Sequence, residues 1–444
     1  MFKTMKNAWQ VPEIRKKLLY TLFIIIIFRI GSVITVPFLD TSVVSEWMDK
    51  SATGGNFLEY LNIITGGALS KATIFSLSIT PYINASIIIQ LLTYAIPPLE
   101  RLSQEGETGR KILNKITAYV AVGLSAFMSF AYYLTLKNSM GAVKYTTGGQ
   151  GVFAAFVIIL SLIAGTSIVV WLGNRVDNKG IGNGISIILF AGIIARFPTD
   201  VGTLITLTKE TPQKYFFVSL GILVLFIAMI AFIVFMNASE RRIPIQYAKR
   251  VVGRKQYGGQ SSFIPVKVCM SGVMPIIFAM SFMSLPSTLA LFKQPVADIT
   301  AEGVTGGQKF YYHFIHFFST QSYGYAVLYF ILIIAFNYFY VAMQYNPIEI
   351  ANNLRQNNGG IPGIRPGKPT SDFIQRVLSK ITLVGAFFLG VIAILPIFLT
   401  HIDSNLSSLS MGGTSILIVV SVAIETVRTL ESHLMMRHHK GFLE

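Results

Sequence analysis

Ten apolar runs, most of them 20 residues or longer, leave this chain few ways to fold. They fall at about 18–37, 73–96, 112–136, 152–172, 181–197, 216–236, 268–290, 323–343, 379–400 and 411–430. A bilayer core needs about 20 apolar residues per helical span. Inside lipid each backbone polar group must be satisfied within its own segment, so the runs are predicted to be helices. Charged residues make up only 13% of the chain, against about 25% in soluble domains. The first run follows basic residues, as a signal peptide does, but no small-residue cleavage site follows "VITVPFLD"; it is read as a helix. Cys269 is the only cysteine, so no disulfide can form within the chain.

The basic residues sort by side. With the N-terminus in the cytoplasm, 26 Lys and Arg lie on the cytoplasmic side and 9 on the other, with Arg29 inside the first run. The positive-inside rule then places both termini in the cytoplasm. The net charge of +16 fits anchoring to anionic lipid or an acidic or RNA-bearing partner. Residues 38–72 and 291–322 are long external loops; 237–267 and 344–378 are long, basic cytoplasmic ones.

Catalytic apparatus is not visible. "GIRPGKPT" at Gly363 has the wrong spacing for a P-loop, and proline follows its lysine. "GIGNGIS" at Gly180 joins two membrane runs and lacks the strand of a dinucleotide site. His313 and His316 sit among aromatic residues and read as an interfacial belt rather than a metal site. The Asn-x-Ser triplets at Asn84, Asn237 and Asn405 carry no inference. Ionisable groups inside the spans are few: Arg29, read as a structural partner to a carbonyl or polar neighbour, and Glu425 near the cytoplasmic end of the last span. No cofactor or metal is implied. What remains is a large basic cytoplasmic face and several spans with polar or Gly-broken stretches; broken helices fit an inverted-repeat secondary transporter of a small solute, although the scarcity of membrane carboxylates weighs against one.

One stretch is more specific. "GGALSKATIFSLSITPYINASIIIQLL", from Gly66, opens with two glycines and keeps Pro81, Asn84, Ser86 and Gln90 in an apolar run. Together with "NKGIGNGISIILF", "YAKRVVGRKQYGGQSSFIPVKV", "NPIEIANNLRQNNGGIPGIRPGKPTSDFI", "GGTSILIVV" and the terminal "HHKGFL", it resembles the SecY family across nearly the whole chain.

The resemblance implies an all-α polytopic membrane protein of the bacterial cytoplasmic membrane that is not an enzyme. Ten transmembrane helices would form two five-helix halves, 1–197 and 216–430, related by an inverted pseudo-two-fold. An external hinge loop at 198–215 would join them, a tail at 431–444 would follow, and the second span would be re-entrant. Secretory chains bearing signal sequences would cross it, and membrane proteins would leave sideways into lipid. SecE would brace the halves, SecG would accompany them, SecA would supply ATP-driven pushing, and ribosomes would dock on the cytoplasmic loops.

Site residues follow by the same resemblance. A plug helix at about 60–72 would include Ile64, Gly66, Gly67, Leu69 and Ser70. A pore ring would comprise Ile79, Ile83, Ile185, Leu189, Ile277 and Ile418; such an apolar constriction dewets and resists ions while a polypeptide spreads it. Asn84, Ser86, Gln90, Cys269 and Leu285 would line a lateral gate, where weak polar contacts suit a seam that opens. The family commonly has asparagine at the place of Cys269, and a thiol is a weaker donor. Arg241, Arg242, Lys249, Arg250, Arg254, Lys255 and Arg365 would contact SecA or ribosomal RNA.

Overall fold

A computed structural model describes residues 8–51, 62, 65–210, 212–247, 250–252, 255–257, 261–289, 306–318, 322–402 and 412–438. Every predicted apolar run contains a helix. In chain order the helices are α1 (Pro12–Gly31), α2 (Thr41–Ser51), α3 (Thr80–Ala95), α4 (Pro97–Gln104), α5 (Glu107–Asn138), α6 (Gly148–Lys179), α7 (Gly184–Glu210), α8 (Pro212–Ala238), α9 (Met274–Leu289), α10 (Gly306–Phe317), α11 (Tyr323–Gln344), α12 (Pro347–Gln356), α13 (Lys368–Ile402) and α14 (Gly412–His438). Among the described residues, five helices are long and apolar enough to cross a membrane, or six if the bent pair α3–α4 counts as one span. The chain is a multi-pass membrane protein. The 32 residues of α5 rise about 48 Å, more than the roughly 30 Å of hydrocarbon.

Helix ends follow local chemistry. Asn346 accepts from the backbone N–H of Ile348 and Glu349 to start α12. Asn183 does the same for α7 through Ile185 and Ser186, and Asp177 Oδ1 accepts from Gly184 N at 2.6 Å. α3 stops at Ile96, whose extended backbone precedes Pro97, and the chain bends by 106° into α4.

Three departures from the sequence reading stand out. First, residues 65–79 form consecutive turns, so the helix of the second apolar run, α3, begins at Thr80 rather than 73. Left-handed backbone at Gly66 (φ 67°) and Gly67 (φ 83°) turns the chain where a plug helix was expected. The expected plug residue Ile64, with 52–61 and 63, lies outside the described residues. Second, the expected hinge loop is helical in its described part: α7 continues through Pro198 to Glu210, and α8 starts at Pro212. Third, the fold is not purely helical. The basic loop 237–267 is a β-hairpin, with β1 (Glu240–Tyr247) antiparallel to β4 (Ser261–Lys267), and β2 (Arg250–Val252) pairs with β3 (Lys255–Tyr257). β5 (Gly359–Gly360), from the other long basic loop, pairs with the free edge of β1.

One apolar cluster gathers side chains from α1, α3, α5–α9, α11, α13 and α14. A second packs residues 36–48, 69–77 and 128–143 against α6. A third fills the underside of the sheet with Ile243, Ile245, Val266, Leu354, Ile361, Ile374 and Leu378.

Candidate functional site

The six expected ring residues come from four stretches of chain and meet in the first apolar cluster. Ile79, Ile83, Leu189, Ile277 and Ile418 are buried in it, and Ile185 packs against it partly buried. Ile79 caps the start of α3 and Ile83 lies one turn further on, its N–H donating to the Ile79 carbonyl at 3.0 Å. Their neighbours Ile187, Ile188 and Val422 are buried in the same cluster. The six side chains are all aliphatic, so together they can form an apolar constriction and none of them can replace an ion's hydration shell.

Beside it, α3 packs against α9. Asn84 is buried and Ser86 half-buried; Gln90 Nε2 donates to Ser86 Oγ at 3.1 Å. Asn84 Oδ1, Gln90 Oε1 and Thr80 Oγ1 are buried with no hydrogen-bond partner among the described residues. Cys269 is buried, but it lies in the turn before α9 rather than on that helix. Leu285 is 47% exposed on the outer part of α9.

The turn segment next to the ring is tied down. Ile74 N donates to Ile34 O at 2.9 Å, Val36 N to Ala72 O at 2.9 Å, and Thr73 Oγ1 to Ala68 O at 3.2 Å. Leu69 is fully buried, and its carbonyl accepts from the Tyr132 hydroxyl. Ser70 N donates to Asn62 Oδ1 at 3.0 Å. Arg29 stands in the last turn of α1, where the helix dipole favours a cation. The expected carbonyl partner is missing at one of its nitrogens: Nη1 is buried and unbonded among the described residues, next to Gly66.

Both long loops contribute strands to one sheet, and the described basic residues are spread over these loops. Arg241 and Arg365 are exposed. Arg242 is already engaged: its Nε donates to Glu240 Oε1 at 2.8 Å, and its guanidinium lies 4.8 Å from the centroid of Phe263. Arg250 and Lys255 are on β2 and β3, while Lys249 and Arg254 lie outside the described residues. Arg365 is carried on a turn between Gly363 (φ 80°) and Gly367 (φ 105°), closed by Thr370 Oγ1 donating to the Arg365 carbonyl at 2.8 Å. Sequence reasoning missed that the two loops share a sheet; the alternation in "RRIPIQY" was the available signal. His313 and His316 lie on α10, which has no buried residue, with Tyr312 stacked on His316 at 5.9 Å. Among the described residues no three His, Cys, Asp or Glu side chains are grouped to hold a metal.

Comparison with known proteins gives the chain's family and fold. The SecY family model matches residues 73–427. A relative in Streptomyces coelicolor named protein translocase subunit SecY is 38% identical over 450 residues, covering the whole of both chains. A solved protein-conducting channel aligns with 96% of each chain at a TM-score of 0.60 and 18% identity. Sec61 in a canine ribosome–channel complex aligns with 96% of each chain at 0.55 and 16%. At those identities the two structures speak to the fold, whereas the full-length relative and the family match speak to kinship: the chain belongs to the SecY family.

Proposed function

We propose that the chain is the channel-forming subunit of a protein translocase, passing unfolded secretory chains across a bacterial cytoplasmic membrane and releasing membrane proteins sideways into lipid. The observation that carries the reading is the end-to-end match to a translocase subunit at 38% identity. Ten helices in two inverted halves, with both termini cytoplasmic, agree with the ten apolar runs and the 26-to-9 division of basic residues. Ile79, Ile83, Ile185, Leu189, Ile277 and Ile418 form the ring through which the chain threads. The seam of α3 and α9, with Asn84, Ser86, Gln90 and Cys269, is the lateral gate. The two loops carrying Arg241, Arg250, Lys255 and Arg365 receive SecA or a ribosome, and SecE and SecG complete the complex. The subunit itself is a conduit, and hydrolysis of ATP belongs to SecA.

A stalled secretory chain tests this. Single cysteines at Ile83 and Ile277 in a Cys269→Ser background, reconstituted with SecE, SecA and ATP, are expected to cross-link to it. Translocation without adducts at either site would remove the ring assignment and leave the function. Absence of translocation by a folded complex would remove the function.

A further inference from the structure

The root of α9 is held by a polar junction that lies wholly on the α11 and α13 side of the seam. Ser271 Oγ donates to Asn337 Oδ1, and Asn337 Nδ2 donates to the Thr382 carbonyl at 2.9 Å. Asn337 is 2% exposed, Ser271 3% and Thr382 1%. One amide thus joins three stretches of chain: the turn that feeds α9, the middle of α11 and the first half of α13. Gly385 adds a second hold. A Cβ there would press into the Val268 carbonyl oxygen, so the backbone before α9 lies directly on α13. Val268 N in turn donates to Ser239 O at 3.0 Å, closing the base of the β1–β4 hairpin. Further along, Phe278 and Phe282 on α9 meet Phe336 of α11 edge-on at 6.0 and 6.3 Å, and Phe278 meets Tyr340 at 6.4 Å.

The opposite side of α9 is different. Toward α3, the described polar atoms Thr80 Oγ1, Asn84 Oδ1 and Gln90 Oε1 have no hydrogen-bond partner. A buried amide that satisfies both its donor and its acceptor gives a junction one arrangement, because any shift leaves buried polar groups unpaired. These three atoms of α3, without such bonds, impose no comparable preference.

We infer that Asn337 is a positioning residue that welds the root of α9 to α11 and α13, so that these three helices move as one body when the seam with α3 parts. It acts through Ser271 and the Thr382 carbonyl, and touches no transported chain. That α9 moves during function rests on the channel reading; that Asn337 fixes α9 against α11 does not.

Spin labels on lipid-facing positions test both parts in the full chain reconstituted with SecE in lipid nanodiscs, in a Cys269→Ser background. Leu285 on α9, Ile331 on α11, Val384 on α13 and Ile88 on α3 are all exposed. In the resting complex the Leu285–Ile331 distance is expected to be narrowly distributed. Ser271→Ala, which spares the Asn337–Thr382 bond, is expected to broaden it while leaving Ile331–Val384 unchanged; Asn337→Leu, which removes both bonds, is expected to broaden both pairs. Ser271→Ala removes only one bond, and so decides the matter if Asn337→Leu does not fold. No broadening in a folded variant overturns the positioning role, as does equal broadening of both pairs in Ser271→Ala, which would mean general loosening. With a secretory chain engaged, Ile88–Leu285 is expected to change by several ångströms while Leu285–Ile331 stays within the roughly 1–2 Å of an ordinary helix shift. Equal changes in both pairs overturn the rigid unit. If no chain engages, the channel reading fails, and the resting distances still decide the role of Asn337.

Discussion

Gly165 tests whether the turn segment beside the ring is a fixed seat. It lies inside α6 and is buried. A Cβ there would stand 2.7 Å from Ile74 Cγ2 and 2.8 Å from the Ile74 carbonyl carbon, and closer still to its oxygen, whereas real Cβ contacts do not fall below 3.0 Å. Much of the obstacle is backbone, so rotamer changes cannot clear it. Ile74 cannot retreat freely either, because its N–H is bonded to Ile34 O at 2.9 Å and the adjacent Thr73 bridges to Thr35. Gly165→Ala must therefore separate α6 from the segment or break that bridge, an overpacking cost of about 1–3 kcal/mol. Alanine also gains about 1 kcal/mol in helix propensity over glycine. Gly123→Ala in α5 supplies the control, since nothing lies within 4 Å of its Cβ. The propensity gain is common to both and cancels, so Gly165→Ala should be about 1–3 kcal/mol less stable than Gly123→Ala. Reversible unfolding in mixed micelles measures the difference. Equal stabilities would mean that residues 73–79 yield readily and are not a fixed seat.

Three further outcomes are expected. Asp177→Ala removes the acceptor at the start of α7 and should cost about 1 kcal/mol, while Asp177→Asn retains it. Burial holds the Asp177 carboxyl above its usual range; its ionised form then costs stability at neutral pH, and the cost fades as pH falls through the folded pKa. Melting curves at neutral and mildly acidic pH should show wild type gaining on Asp177→Asn toward acid. Arg365→Glu should weaken SecA binding at least about 30-fold, the effect of a 2 kcal/mol hot spot, as read by titration on vesicles; an unchanged affinity would move docking elsewhere on the two loops. Ile245→Ala hollows the cluster under the sheet at about 2–5 kcal/mol, so SecA affinity should fall although Ile245 is buried away from any partner.

Legibility followed the range of the interactions. That each apolar run holds a helix could be read because lipid acts on every residue of a helix, and the charge asymmetry needs only counting. The boundary at 73 was misread because "TIFSLSI" is apolar enough for a helix, yet Thr73 and Ser76 bond carbonyls within the turn instead. The hairpin was legible but passed over, because dense basic residues suggested a solvated loop; in β1 only Ile243 and Ile245 are fully buried, with Tyr247 packed beside them. The Gln246–Gly360 pairing joins loops more than a hundred residues apart, and nothing local announces it. Asn337 within "AFNYFY" was visible only as a polar residue in an apolar span; its partners, Ser271 and Thr382, are set by tertiary packing. The ring residues were reached by resemblance, since an isoleucine in a membrane helix has no signature of its own.

The unbonded atoms of α3 bear on how readily the seam opens. Each buried polar group without a partner costs about 1–3 kcal/mol, and Thr80, Asn84 and Gln90 contribute one each. Against this, on the gate reading, closing withdraws apolar side chains of α3 and α9 from water, at about 1.5–3 kcal/mol for each one fully buried. The two quantities are of the same order, so closure rests on a small difference. Turning such an equilibrium from 1:99 to 99:1 takes about 5.5 kcal/mol, which burial of roughly 220 Å² of apolar surface supplies. A short apolar segment entering the seam is sufficient, and it needs no particular sequence. Asn84→Leu probes the balance. It replaces a buried group whose oxygen is unbonded with an apolar one of similar size, and should favour the closed seam by about 1–3 kcal/mol. Translocation of secretory chains with weakened signal sequences should then fall about 5-fold or more, while strong signals, with energy to spare, lose little. Equal loss for both classes, or a gain for the weak one, would show that Asn84 finds a partner across the seam when it closes and that closure is not so finely poised.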